Sequence, residues 1–469
     1  MLQSKGRLML ALPKTVRSTL DLIGNTPMLE VTNIDTGPCR LFLKLESQNP
    51  GGSIKDRIGV SMIDAAEASG ELQQGGMLVE ATAGNTGLGL ALVAILRGYK
   101  MIIVVPDKMA REKIYHLRAM GADVRITRSD VGKGHPEYYQ DIAERIAQET
   151  GAFYVNQFGN PTNPQAHEDG TGPEIFHQMD QDIDAMVCGV GSGGTLTGLG
   201  RYFNRVSPKT KMVVADPEGS IVAHYVKTGE LLEEVGSWIV EGVGEDFIPP
   251  VCDMSVADEA YTIPDAEAIA VARELLEKEG VLAGSSSGTL IGAALRYCRE
   301  QTEPKRVCTF VCDNGNKYLT KVFNDLWLYD QGFKERERAN DLRDLILHRH
   351  DEGSSVTVKP DDKLLVAMGR MKMYDVSQLP VIDADGQLAG ILDESDLLLH
   401  VERDEERFQD QVAAAMTGKL ETISVKAPVT DLLPIFADDK VAIVTDGDHF
   451  LGLITRIDLL NHLRRKVNT

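Results

Sequence analysis

Met-Ile-Ile-Val-Val at residues 101–105 is an unbroken apolar run, mostly β-branched. A strand with one wet face alternates apolar and polar side chains, so a continuous run predicts a strand covered on both sides. Similar runs recur at 77–79, 186–188, 212–215 and 307–312. Helical patterns precede them at 58–69 and fall between them at 88–96, 110–120 and 265–279. The last opens Pro-Asp-Ala-Glu-Ala, with Asp265 placed to cap it and acids suited to the positive end of the helix dipole. Alternation of this kind from about Met77 to Asp313 predicts an α/β architecture around parallel sheet.

At 469 residues the chain exceeds what one core supports, and two or three domains are expected. The formal net charge of −21 argues against nucleic acid and anionic membranes, since phosphate binding draws on cationic surface. No apolar run approaches the ~18 residues of a membrane span. The six cysteines are scattered, and Cys308 and Cys312 sit in an apolar run, which reads as reduced, buried thiols of a cytoplasmic protein. The ten histidines show no ligand-like pairing, so no metal site is expected. Residues 1–20 read as an N-terminal tail whose short apolar core, Leu-Met-Leu-Ala-Leu, is too brief for a secretory signal.

Composition shifts after Gly332. Residues 334–350 carry dense charge and no Gly or Pro, with Leu342, Leu345 and Ile346 on one helical face; a linker helix over 334–352 is expected. Beyond it lies a duplication. Residues 379–398 align without a gap on 441–460, pairing Gly390 with Gly452, Asp396 with Asp458 and His400 with His462, each 62 apart. Two strand–turn–strand–helix modules that pack together are predicted, at about 353–403 and 413–469.

Four short motifs carry chemistry. Gly-Gly-Ser-Ile-Lys-Asp-Arg (51–57) places Lys55 between a glycine turn and a helix; a lysine can condense with an aldehyde, and pyridoxal phosphate is the commonest cofactor held that way. Ala-Thr-Ala-Gly-Asn-Thr-Gly (81–87) follows a strand and opens a helix, where Gly84 and Gly87 would let backbone approach an anionic ligand such as a carboxylate. Gly-Ser-Gly-Gly-Thr (191–195) has the same setting and suits a phosphate. It also satisfies a dinucleotide fingerprint through Gly189, Gly191 and Gly194, with Asp216 in place 22 residues after the last, although that reading leaves Lys55 and the Asn85 loop unexplained. Gly-Ser-Ser-Ser-Gly (284–288) imitates a hydrolase nucleophile elbow at Ser286, but the next histidine is His348, beyond the domain.

Taken together with Gly-Asn-Thr-Pro (24–27), Lys-Leu-Glu (44–46) and Glu-Gly-Val-Gly-Glu-Asp-Phe-Ile-Pro (241–249), these motifs resemble the fold type II pyridoxal-phosphate enzymes, and within them the bacterial cystathionine β-synthases. The likeness runs from about Leu22 to Trp327, and the tail resembles the tandem CBS regulatory pair, a Bateman module. The resemblance implies a tryptophan synthase β-like fold of two open α/β subdomains over residues 21–333, followed by that module over 353–469. It implies pyridoxal 5′-phosphate joined to Lys55, its phosphate on Gly191, Ser192, Gly193, Gly194 and Thr195, its phenolic oxygen near Asn85 and its pyridine nitrogen facing Ser286. Thr82, Ala83, Gly84, Asn85 and Thr86 would hold the substrate carboxylate, with Gln157 closing over it. In the tail, Thr455 and Asp458 match a pattern that holds an adenosine ribose, as in S-adenosylmethionine, while the first copy has Asp393 at the threonine place.

The reaction implied is replacement of the hydroxyl of L-serine by the thiol of L-homocysteine, giving L-cystathionine, with hydrogen sulfide from cysteine as a side activity. A serine hydroxyl at the pyridine nitrogen leaves the cofactor a moderate electron sink, suited to β-elimination. O-acetylserine sulfhydrylase is the alternative within this chemistry, and an inactive adenosine-nucleotide sensor a remote one. Ala83 replaces the usual serine, and Phe158 and Glu245 stand where animal enzymes carry tyrosine. No Cys/His segment precedes Gly24, so no haem is expected. A homodimer or higher homo-oligomer is the family expectation.

Overall fold

The computed structural model describes residues 15–82, 84–132, 134–232 and 234–467, which form two compact units divided between Phe323 and Asn324. The N-terminal unit holds two sheets. One is four-stranded and wholly parallel, in the order Asp123–Thr127, Lys100–Pro106, Met77–Ala81, Phe153–Tyr154. The other is six-stranded, in the order Met28–Glu30, Arg40–Leu45, Arg306–Val311, Ala185–Gly189, Lys211–Pro217, Glu259–Ile263, parallel except for its first pair. The continuous apolar runs are its inner strands, and residues 101–106 of the smaller sheet are buried throughout. Helix Ser285–Arg299 is buried on nearly every side, as its run of small and apolar residues allows. The two sheets with their covering helices are the open α/β subdomains that the resemblance implies.

Asp265 does not cap its helix. The helix spans Asp265–Glu279 with Pro264 at the N-cap, and the Asp265 carboxylate instead accepts from Ile239 N and Val240 N at 2.7 and 3.2 Å. Proline at the cap has no side-chain acceptor, and the first helical residue can reach a neighbouring loop instead.

Over 334–352 there is no α-helix, only a 3-10 turn at Leu342–Leu345. Short acidic side chains compete with helix formation here: Asp344 accepts from Ala339 N and Asn340 N, and Asp341 from Arg343 N. Leu342, Leu345 and Ile346 do share a buried face, but they pack with Ile423, Val425, Leu432, Val444 and Ile454. That stretch is therefore part of the core of the second copy of the duplicated module.

The duplicated hairpins are Gln378–Ile382 with Leu388–Asp393, and Ala442–Asp446 with His449–Ile454. Both bulge at the same point, just before the conserved spacing of Gly390 and Gly452 takes effect. Val381 pairs with Gly390, yet Val444 pairs with Gly452, so the first strands are offset by 63 residues and the second by 62. The turn of the second copy is one residue shorter, which the gapless sequence alignment conceals. Helices Glu394–Val401 and Arg456–Val467 follow the two hairpins.

Candidate active site

Lys55 is the first residue of helix Lys55–Ser69. The turn before it is stitched to the end of strand Arg306–Val311: Ile54 N donates to Cys312 O at 2.9 Å, and Ser53 bridges Asp313. Asn85 likewise begins helix Asn85–Arg97. The two helices cross backbone on backbone. A Cβ on Gly59 would lie 2.8 Å from Gly89 C, and one on Gly89 would lie 2.7 Å from Lys55 O.

One cavity is lined by Lys55, Thr82, Asn85, Thr86, Gln157, Gly191, Ser192, Gly193, Thr195 and Ser286. Gly84 and Gly194 flank it as N-cap and first residue of their helices, and Ala83 lies outside the described residues. The four motifs, with Lys55 and Ser286 lying 231 residues apart, thus meet where parallel strands end, the usual location of ligand sites in such sheets.

The loop 191–195 fits a phosphate on its own geometry. Among the described residues, none of its five backbone N–H groups has a hydrogen-bond partner, and helix Gly194–Val206 begins there. Unpaired N–H groups at a helix N-terminus attract an anion. Ser192 Oγ accepts from Asn163 Nδ2 at 2.9 Å, which leaves its own O–H free to donate. Thr195 Oγ1 lies 3.2 Å from His167 Nε2. Burial, with Lys55 and Arg57 nearby, holds His167 well below the usual histidine range, so it is a neutral ring.

In the loop 82–86, Thr82 Oγ1 accepts from Gly84 N at 3.1 Å and Thr86 Oγ1 donates to Gln157 Oε1 at 2.6 Å. Gln157 Nε2 reaches Ala81 O. Gln157 is thereby tied to the same loop it was expected to close over. Gly84 has φ +118°, and a Cβ there would lie 2.7 Å from Lys113 Cδ, while one on Gly87 would lie 3.0 Å from Thr82 Cγ2. Their missing side chains make room for protein atoms.

Burial lowers the Lys55 pKa, against opposing pulls from Cys312 and Glu245. Its amine is therefore closer to the neutral, nucleophilic form than a surface lysine would be. Glu245 also lines the cavity; burial and neighbouring Asp246 raise its carboxyl well above the usual range, with Lys108 and Lys55 opposing. Cys312, beside Ser286 and Ser287, is pushed up to about 12 by burial and is a thiol, not a thiolate.

Behind the cavity three motif segments join in one buried ionic cluster. Arg57 donates to Glu46 through Nε at 2.7 Å and Nη2 at 2.9 Å, and to Glu174 through Nη1 at 2.8 Å and Nη2 at 2.7 Å. Thr26 Oγ1 donates to Glu46 at 2.6 Å and Lys44 Nζ to Glu174 at 2.8 Å. Burial alone would raise Glu174, but Arg57 and Lys44 hold it at about 2. The cluster fixes the first turns of the helix that carries Lys55.

Residues 19–313 match the family described as pyridoxal-phosphate dependent enzyme, and 352–403 and 412–465 match the CBS domain. The chain is 35% identical to cystathionine β-synthase of Dictyostelium discoideum over 465 residues, covering 95% of this chain and 92% of that protein. It is 32% identical to cystathionine β-synthase of Saccharomyces cerevisiae over 496 residues, covering 95% and 97%. The chain belongs to the cystathionine β-synthase family. Its structure is also similar to a hydrogen sulfide-producing enzyme from Fusobacterium nucleatum, with TM-score 0.61, 35% identity and coverage of 65% of this chain and 100% of that one. O-ureido-L-serine synthase gives TM-score 0.61 at 32% identity, with coverage of 67% and 99%. As a cystathionine β-synthase family member the enzyme is a pyridoxal-phosphate dependent lyase, and its chemistry is β-replacement. No helix among the described residues is long and apolar enough to cross a membrane.

Sequence reading missed the buried pair Lys113–Glu241 at 2.7 Å, to which Lys321 adds a second contact at 2.7 Å. It also missed Asp313 and Lys317, which flank Asn85. The signal available was position: Asp313-Asn314-Gly315 comes directly after a parallel strand, where site residues concentrate.

In the CBS copies, Asp458 Oδ2 accepts from Thr455 N at 2.7 Å and from Thr455 Oγ1 at 2.5 Å. Asp393 and Asp396 make the corresponding capping box in the first copy. The two candidate ribose ligands are thus bonded to each other at a helix start.

Proposed function

We propose that the enzyme replaces the β-hydroxyl of L-serine with the thiol sulfur of L-homocysteine: the Cβ–O bond breaks, a C–S bond forms, and L-cystathionine and water leave. Hydrogen sulfide from cysteine is the expected side product, with cysteine then the amino-acid donor. The observation that carries this reading is the convergence in one cavity of Lys55, Asn85 and the unpaired N–H groups of 191–195, in a chain alike along its length to cystathionine β-synthases.

Pyridoxal phosphate, held by Lys55 and the 191–195 loop, supplies an electron sink for cleavage at Cα. Asn85 would meet the phenolic oxygen and Ser286 the pyridine nitrogen; both line the cavity. Thr82, Gly84, Asn85, Thr86 and Gln157 bind the serine carboxylate, with the N-terminus of helix Asn85–Arg97 supplying N–H groups; Ala83, proposed with them, lies outside the described residues. The Lys55 amine, lowered by burial, takes the Cα proton and passes it to the departing hydroxyl.

Phe158 favours a second reading. It lines the cavity, its ring tilted at 51° to Phe247 with centroids 5.7 Å apart, and its phenyl ring brings no hydroxyl to a second amino acid, which suits sulfide attack after loss of acetate from O-acetylserine. Mass spectrometry of products from serine plus homocysteine, set against O-acetylserine plus sulfide, decides between them. Borohydride reduction and peptide mapping should label Lys55, and Lys55→Ala should abolish turnover; a label elsewhere would sink the reading, and with the label missing altogether the inactive sensor would stand.

The tail is proposed to bind an adenosine ligand such as S-adenosylmethionine at Thr455 and Asp458, in a cytoplasmic homodimer or higher homo-oligomer. Isothermal titration with S-adenosylmethionine should give heat that Asp458→Asn removes.

A further inference from the structure

Lys317 lies behind Asn85, outside the cavity wall and 6% exposed. An ammonium has three N–H groups, and all three are used. Lys317 Nζ donates to Gly51 O at 3.2 Å, Gly52 O at 3.1 Å and Asn85 Oδ1 at 3.0 Å. The first two acceptors belong to the turn that presents Lys55. On the other side, Asn85 Nδ2 donates to Asp313 Oδ2 at 2.8 Å, and Tyr318 Oη donates to the same oxygen at 2.7 Å.

These contacts leave Asn85 no choice of orientation. Flipping its amide would set the NH2 group against an ammonium and the carbonyl against a carboxylate, two repulsive contacts in a buried site. Lys317 holds the carbonyl oxygen on its own side, and Asp313 takes one N–H. What remains to face the cavity is a single N–H.

We infer that Lys317 is a positioning residue that makes Asn85 a donor-only group toward the cofactor while tying it to the turn that carries Lys55. The inference rests on the proposed reading in which Asn85 meets the cofactor's phenolic oxygen. A donor without an acceptor stabilises the ionised oxygen, which absorbs in the visible, over the neutral phenol, which absorbs in the near ultraviolet. With Lys317 shortened to an apolar side chain, one of the two contacts that orient the amide is lost and Asp313 alone opposes its rotation, so the N–H is held less firmly toward the phenolic oxygen.

The test is the absorbance spectrum of the full-length enzyme saturated with pyridoxal phosphate, with circular dichroism to establish folding. Lys317→Met should lower the ratio of visible to near-ultraviolet bands by about tenfold, the size expected for a hydrogen bond to a charged oxygen. Lys317→Arg should restore most of the wild-type ratio, and Lys317→Gln, which keeps a neutral donor, should fall between. Should Lys317→Met not fold, Lys317→Gln decides. A wild-type ratio in the folded Met or Gln variant, with borohydride still labelling Lys55, overturns the positioning role alone. Absence of that label in the wild type overturns the functional reading and the clamp with it, a distinct result.

Discussion

Lys44, Glu46 and Arg57 of the catalytic unit are 0%, 0% and 7% exposed, whereas Lys440 and Glu421, an ion pair of the regulatory unit, have side chains 48% and 75% exposed. The contrast is general. Among the described residues, every buried polar or charged side chain lies at or before Lys317. Both units leave large apolar side chains in water, Ile95 and Leu96 among those of the catalytic unit; in the smaller regulatory unit Met373, Leu398, Leu399, Ile457 and Leu460 are all exposed on helices. Buried charge is costly unless each partner is met, so it suits a site whose geometry must be single-valued. Exposed apolar helix faces suit a unit built to associate, in keeping with the proposed oligomer.

The largest expected effect comes from breaking the buried cluster. Arg57→Ala leaves Glu46 and Glu174 without their main partner and should cost about 3–5 kcal/mol, read as a lowered denaturant midpoint of the catalytic unit. A loss below about 1 kcal/mol would place this cluster with ordinary surface pairs and erase the contrast.

Glu80 sharpens it through pH. Burial lifts its carboxyl to about 8, from an ordinary 4.5. Between those values the folded state holds a proton that the unfolded state has lost, so this contribution to stability is full below 4.5 and falls as pH rises through 8. Glu80→Gln removes it. Relative to wild type, the variant should gain stability steadily between about pH 5 and about pH 8, by at most about 1.4 kcal/mol per unit. Parallel stability curves for the two proteins would show that Glu80 does not titrate there.

Smaller changes are expected in the regulatory unit. Asp458→Ala loses the contacts at the start of its helix and should cost about 1 kcal/mol, in the regulatory transition only. Lys440→Ala breaks the exposed pair with Glu421 and should change stability by less than about 1 kcal/mol, a difference that salt should reduce further. A loss comparable to that of Arg57→Ala would undo the comparison.

Much of the catalytic fold was legible because buried parallel strands write themselves as continuous apolar runs, and Met-Ile-Ile-Val-Val did so. The site loops were legible because glycine, serine, threonine and asparagine cluster where a strand turns into a helix. What stayed hidden is long-range or competitive. Lys113 meets Glu241 across 128 residues, and nothing local marks either as buried. The acidic side chains of 341–344 could serve a helix or cap a turn, and only the core of the second CBS copy chose the turn. The one-residue difference between the two hairpins vanished because Gly, Asp and His keep their spacing downstream of it.

The crossing at Gly59 and Gly89 limits how the molecule can breathe. With peptide planes in contact and no side chain between them to repack, the helices bearing Lys55 and Asn85 move as one block. Admission and release of small molecules must then be borne by the opposite walls. Even a single added methyl at either crossing point would wedge the two reactive groups apart before it touched anything else.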